Sequence, residues 1–167
     1  SSIATHTVRY SFFSESGLIA VGVEDECAWT PPISLAAQIP NATSGWGTIF
    51  CDTYVNGSLV STNTCAFQLT VPTSVIPSIS SVSVAEATAG VADRFGGYVR
   101  TRSKLSVSIT AAGTQGSSIS AYRTSIDSVT YSGASFTTNT LNTAGSLTMT
   151  VTVTDSRGRT ASTTRTV

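Results

Sequence analysis

The sequence predicts an all-β protein of two tandem β-sandwich domains, and three observations lead there. Serine and threonine fill 55 of 167 positions, yet 40% of residues are hydrophobic, a mixture too apolar for a disordered linker. Long stretches alternate apolar and polar residues with period two, the mark of strands buried on one face. A proline-punctuated seam near Ile76 separates halves of opposite charge.

The seam lies within residues 71–81. Pro72 and Pro77 have no amide donor, so neither fits a central strand. A boundary at Ile76 gives domains 1–76 and 77–167. The first holds one base, Arg9, against five acids, for a net −4, and the second is +4. Charge of that size is ordinary for a small soluble domain, while the sharper reading is head-to-tail attraction between copies in an assembly. Over the whole chain nine bases balance nine acids, so no nucleic-acid binding by bulk electrostatics is expected. The longest apolar stretch, residues 18–23, contains Gly22 and falls far short of the roughly 18 residues that span a bilayer. No membrane insertion is expected, and the protein reads as soluble. The only methionine is Met149 and the chain opens Ser1-Ser2, the pattern of a processed or excised part of a longer polypeptide.

In the first half, residues 7–13 and 18–23 read as a pair of strands. Thr30-Pro31-Pro32 breaks the chain, after which residues 33–39 fit either a helical turn or a strand. Residues 48–55 and 58–71 flank Asn56-Gly57, the strongest short hairpin signal, because both central residues of a type I′ turn need positive φ. A plain two-residue hairpin sets Cys51 against Thr62 and turns Cys65 to the opposite face, with Cys65, Phe67, Leu69 and Val71 sharing a parity with Leu59.

In the second half, residues 81–87 supply a first strand. Residues 103–112 alternate strictly, with Leu105, Val107, Ile109 and Ala111 on one parity and Lys104, Ser106, Ser108 and Thr110 on the other. Residues 119–126 and the 131–141 region, punctuated by Gly133 and Asn139, add short strands. Residues 146–154 set Leu147, Met149, Val151 and Val153 against four threonines, a β-branched run that suits a strand and no helix. Asp155-Ser156-Arg157-Gly158 then reads as a type I turn leading into residues 159–167. Six or seven strands result, the number expected of an immunoglobulin-like sandwich.

Little in the chain points to catalysis. His6 is the only histidine and lies where chains are often poorly ordered, so a Ser-His-Asp or Cys-His arrangement has one residue to draw on. We expect no enzyme, no catalytic residue, no cofactor and no metal. Cys27, Cys51 and Cys65 lack zinc-ligand spacing and read as small buried hydrophobes of a reducing cytoplasm. Glu24-Asp25-Glu26 alternate faces on an extended chain and read as a solvated acidic edge. Asn41-Ala42-Thr43 and Asn56-Gly57-Ser58 match the glycosylation sequon, which matters only in a eukaryotic secretory host.

The aromatic set of the first half is Tyr10, Trp29, Trp46 and Tyr54. Trp46 stands between Gly45 and Gly47, read as a loop just ahead of a strand. An exposed indole there could stack on the apolar face of a sugar, with Tyr54 beside it; the opposing reading has Trp46 closing the end of the core. Arg94, Arg100, Arg102 and Arg123 read either as a basic patch or as arginines that protect strand edges.

Four ordered blocks carry a family resemblance over residues 80–167. They are Arg102-Ser103-Lys104-Leu105-Ser106-Val107-Ser108-Ile109, Gly116-Ser117-Ser118-Ile119-Ser120-Ala121-Tyr122, Tyr131-Ser132-Gly133, and Val153-Thr154-Asp155-Ser156-Arg157-Gly158-Arg159-Thr160-Ala161. In order and spacing they resemble the immunoglobulin-like repeat of siphophage tail and tail-appendage proteins. Upstream, Trp29-Thr30-Pro31-Pro32, Ile39-Pro40-Asn41-Ala42-Thr43-Ser44-Gly45, Cys51-Asp52-Thr53-Tyr54 and Leu69-Thr70-Val71-Pro72 are similar to the β-domain that commonly precedes that repeat. The resemblance implies a non-enzymatic structural part of a long-tailed phage tail or tail tip, a fragment of a larger virion protein assembled in the bacterial cytoplasm. Its partners would be other virion tail proteins, further copies of itself, and host cell-surface glycan touched weakly. The alternative is a carbohydrate-binding or adhesin module, with Trp46 and Tyr54 as the glycan contact.

Overall fold

The computed structural model describes residues 3–167, so the Ser1-Ser2 opening lies outside the described residues. The chain divides into two compact units, Ser1–Thr73 and Ser74–Val167, built almost wholly from antiparallel strands.

The first unit contains β1 (Ala4–Phe12), β2 (Glu15–Val23), β3 (Ser44–Val55) and β4 (Ser58–Thr70), joined in the order β2-β1-β3-β4. Among the described residues no second sheet faces it, so a single sheet stands where a sandwich was expected. Residues 24–43 explain why. Pro31, Pro32 and Pro40 interrupt any run that could pair as a strand, and the segment folds instead as a strap over one face. Residues 33–39, open between helix and strand in sequence, resolve as a 3-10 helix, Ile33–Gln38. Leu35, Ala36 and Ile39 are buried there, as are Phe12, Leu69 and Val71. Further along the strap Trp29 stacks on Tyr10 at 4.8 Å and meets Phe67 edge-on at 5.6 Å.

The β3–β4 hairpin turns on Asn56-Gly57 with φ of 50° and 80°, the positive pair that a type I′ turn demands. Its register departs from the plain hairpin three residues later. Tyr54 lies opposite Leu59, but Thr53 lies opposite Ser61, leaving Val60 as a bulge. One inserted residue moves every later side chain to the other face. Cys51 therefore faces Asn63 and not Thr62, Cys65 faces Ile49, and the two cysteines share a face.

The second unit holds seven strands: β5 (Ser78–Glu86), β6 (Leu105–Ala112), β7 (Ile119–Ile126), β8 (Val129–Ser132), β9 (Ser135–Thr137), β10 (Thr148–Asp155) and β11 (Thr160–Thr166). They form two sheets, β5-β6-β9 and β11-β10-β7-β8. The alternation read from sequence supplies their common core. Leu105, Val107 and Ile109 of β6 cluster with Ile126 of β7 and with Met149, Val151 and Val153 of β10, each buried. A short helix that the sequence pattern did not announce, α1 (Val91–Phe95), lies between β5 and β6.

Asp155-Ser156-Arg157-Gly158 makes the expected turn, closed by the Gly158 N–H to the Asp155 carbonyl at 2.9 Å. It also does more. Asp155 is buried, and its Oδ1 accepts the N–H groups of Arg157 and Arg159, each at 2.9 Å, while Oδ2 accepts the Ser117 hydroxyl at 3.2 Å. The Arg157 guanidinium reaches the carbonyls of Thr114 at 2.9 Å and Gln115 at 2.5 Å. The β10–β11 turn is thereby fastened to the connection between β6 and β7.

Two substitutions test this core. Val151 is fully buried, so Val151→Asp places an unpaired carboxylate among apolar side chains and should cost at least about 3 kcal/mol; a wild-type-like melt of the second unit would refute the inward assignment of β10. Thr124 is also fully buried, and its hydroxyl has no hydrogen-bond partner among the described residues. Thr124→Val keeps the shape, removes the orphaned group and should raise stability by about 1 kcal/mol, read from the denaturation midpoint.

Candidate functional site

Trp46 and Tyr54 both lie on β3, and their equal parity turns them to the same face. Trp46 is part of the strand and not of a loop before it, and at 64% exposure it does not close a core. Eight residues of strand separate it from Tyr54, about 26 Å at the usual rise. A single sugar ring cannot touch both.

A polar network fills the interval between them. Arg9 of β1 lies opposite Phe50 in register, with its guanidinium 5.0 Å from the ring centroid. It grips Asp52 through two hydrogen bonds, Nε to Oδ2 at 2.7 Å and Nη2 to Oδ1 at 3.1 Å, and the Thr62 hydroxyl adds a third at 2.7 Å. Three strands, β1, β3 and β4, are tied by one carboxylate. The hydrogen bond from Arg9, followed by that from Thr62, holds the Asp52 carboxyl below its ordinary value.

The other residues singled out in the sequence are scattered. His6 is ordered on β1 with Nδ1 3.0 Å from the Thr53 hydroxyl. All three cysteines are free thiols, with Cys27 and Cys65 exposed, so the reading of them as buried hydrophobes fails. For Cys65 the cause is its place on the outermost strand of a sheet whose strap stops short of it. No cluster of three His, Cys, Asp or Glu side chains that could hold a metal exists among the described residues.

Of the four arginines read as a basic patch or as edge protection, three lie on one loop and not on a sheet. Arg94, Arg100 and Arg102 all belong to the β5–β6 connection, while Arg123 stands apart, exposed on β7. The base of that connection is fixed by hydrogen bonds. Glu86 Oε1 accepts the N–H of Thr88 at 2.8 Å and of Lys104 at 3.2 Å. Ser103 is fully buried, and its hydroxyl accepts the Val99 N–H at 2.6 Å. Burial pushes the Glu86 carboxyl up, but hydrogen bonds from Ser103, Thr88 and Lys104 outweigh it and hold the group below the usual carboxylate value. Val91, the first residue of α1, is buried, and Gly90 and Gly96, at φ of 75° and 68°, let the chain enter and leave a helix of five residues.

Above this base the loop presents Phe95 at 62% and Tyr98 at 41% exposure. Phe95 is the shared wall of two clefts. One, of about 600 Å³, is lined by Arg94 and Arg102; the other, of about 640 Å³, by Tyr98, Arg100, Leu141 and Leu147. The side chains of Arg94, Arg100 and Arg102 form no ion pair among the described residues. Exposed rings beside unpaired guanidinium groups suit a ligand with both an apolar ring face and negative charge. In the sequence the arginines read as a patch on a sheet with Arg123, and Phe95 and Tyr98 were not included, since α1 has no periodic signal and one of the clefts is completed by residues 141–147.

The chain is thus an all-β protein of two units whose distinctive side chains lie on its surface. It belongs to a family of siphovirus proteins: the family model, described as siphovirus protein of unknown function (DUF859), matches residues 1–167. It is therefore a protein of long-tailed bacteriophages. No curated protein matches the chain.

The Arg9–Asp52–Thr62 network predicts a pH dependence for the first unit. A carboxyl held low in the folded state contributes stability that is complete above its unfolded pKa and is lost as pH falls through the lower folded one. Both tryptophans, Trp29 and Trp46, belong to this unit, so their fluorescence follows its unfolding alone. The melting temperature read this way should drop between about pH 5 and pH 2, and Asp52→Asn should flatten that limb while lowering stability at neutral pH. An unaltered acid limb in the variant would remove Asp52 from the explanation.

Proposed function

We propose that this protein is a non-enzymatic structural component of a phage tail or tail tip, part of a larger virion protein, that also makes weak contact with the host surface. The observation that carries the reading is the match of the entire chain to a siphovirus family in a molecule built of two β units. The order of the second unit supports an immunoglobulin-like assignment: β5-β6-β9 set against β11-β10-β7-β8 corresponds to sheets A-B-E and G-F-C-C′ of such a sandwich. A chain of two β units is suited to act as a spacer, and the polar outer faces of its strands suit assembly with other virion proteins. The two units would then be separate domains in tandem.

For the surface contact we favour the β5–β6 loop. Phe95 and Tyr98 offer ring faces for a sugar, and Arg94, Arg100 and Arg102 favour one that carries carboxylate or phosphate. The second reading places neutral glycan on Trp46, whose exposed indole supports it; Tyr54 is too distant to share that ligand and drops out of the platform.

Fluorescently labelled protein applied to a panel of Gram-positive and Gram-negative bacteria separates these readings. Tyr98→Ala combined with Arg100→Ala should reduce decoration of susceptible strains at least about tenfold, and added salt should weaken what remains. Loss on Trp46→Ala alone would transfer the contact to β3. No decoration of any strain would leave the spacer role and remove adhesion.

A further inference from the structure

The edges of the sheets are guarded unequally. In the second unit β8 and β9 are edge strands of four and three residues. β5 is interrupted by a register shift between Ile79 and Ser81, and its Val82 carbonyl is occupied by the guanidinium of Arg165 on β11. In the first unit β2 carries two register shifts against β1 and Gly22 at φ 70°, and Glu24-Asp25-Glu26 follow it. Short length, bulges and charge are the usual means by which native sheets prevent edge-to-edge pairing.

β4 has almost none of them. It is 13 residues long and the outermost strand of its sheet, with no charged residue and no proline from Ser58 to Thr70. Its single bulge, at Val60, lies beside the turn, and residues 61–70 pair with β3 without interruption. Residues 58–66 are all exposed, as are Gln68 and Thr70. The outer N–H and C=O groups of residues 61–70 pair with no strand among the described residues and run for about 33 Å at the usual rise.

We propose that β4 is an assembly edge at which two copies of this chain pair, their β4 strands running antiparallel about a two-fold axis at Thr64, so that two four-stranded sheets become one. This goes beyond the tail and adhesion reading and does not depend on it. The partner is a second copy for three reasons. Antiparallel self-pairing of an uncharged strand opposes no like charges. About Thr64 it sets Asn63 against Cys65, Thr62 against Ala66 and Ser61 against Phe67, all within the stretch that pairs regularly with β3, so that each side chain meets its partner on the same face. The acidic residues that give the first unit its negative charge belong to β2 and its flanks, three strand spacings or about 14 Å away, beyond the screening length at physiological salt. A head-to-tail alternative, β4 against β2 of the next copy, is disfavoured because the bulged β2 cannot offer a matching ladder. Such an isologous contact closes on itself and yields a discrete dimer.

Sedimentation velocity of the full chain in reducing buffer, from about 1 to about 200 µM, reads the outcome directly. We expect a reversible monomer–dimer equilibrium, unchanged by Cys65→Ser, which removes the exposed edge thiol. Thr64→Lys brings two like charges face to face on the axis and should weaken dimerisation at least about tenfold. Ala66→Lys serves the same end should the first variant fail to fold by circular dichroism. Val21→Lys on the exposed part of β2 should have no effect. A monomer across the whole range, or a dimer insensitive to both β4 lysines, overturns the proposal.

Discussion

One constraint recurs in both units: where a strand alternates, as β1, β6 and β10 do, it has one apolar row, because serine and threonine occupy most of the other parity. A sheet made this way has a single face to bury, and it folds stably only if something covers that face. In the second unit a second sheet does so. Leu105, Val107 and Ile109 of β6 meet Met149, Val151 and Val153 of β10, all nearly inaccessible to solvent. In the first unit the cover is a strap of loop and 3-10 helix, which buries Phe12, Leu69 and Val71 at one end but does not reach Cys51, Asn63 and Cys65 at the other. The same alternation therefore gives a closed core in one unit and a half-open sheet in the other.

That contrast sets how much of the structure was legible in the sequence. Where alternation is strict, residues predict strands closely: β7 occupies the expected positions 119–126, and β6 and β10 differ from expectation only at their ends. Turns with special backbone needs were equally plain, since Asn56-Gly57 and Asp155-Gly158 each answer a local requirement for positive φ or a side-chain hydrogen bond. What could not be read were decisions made by tertiary packing. No residue type announces the bulge at Val60, yet it reverses the face of Cys65. Whether residues 33–39 would form a helical turn or a strand was equally beyond local sequence, because the apolar residues Leu35, Ala36 and Ile39 suit either.

The candidate site follows the same rule. Trp46 and Tyr54 looked adjacent because one strand carries both, but strand geometry converts nearness in sequence into distance in space. The arginines behaved in the opposite way. Arg94, Arg100 and Arg102 lie on an irregular loop whose course is set by hydrogen bonds at its own ends, to the Glu86 carboxylate and the buried Ser103 hydroxyl, and by one group far from it in sequence, the carbonyl of Leu141, which accepts the Thr101 N–H at 2.7 Å. The carboxylates form the fixed points of both units. Asp52 ties three strands of one sheet, and Glu86 and Asp155 anchor two connections of the sandwich. Asp52 does so through the side chains of Arg9 and Thr62, whereas Glu86 and Asp155 hold backbone N–H groups.

Division of labour between a rigid scaffold and an exposed loop has a consequence for binding strength. A contact through two aromatic rings and three guanidinium groups on open clefts orders water and side chains with little burial in return, so a single copy is suited to weak and reversible attachment. Pairing through β4 changes the accounting of such a contact without altering it, because a dimer carries two loops, and a second attachment to the same surface is effectively intramolecular. The uncharged strand and the arginine loop occupy different units, built on different solutions to one constraint. The edge proposed for pairing belongs to the half-open sheet, and the arginine loop to the unit with the closed core. The two proposals, assembly at one unit and recognition at the other, therefore make separate demands on a chain with few charges.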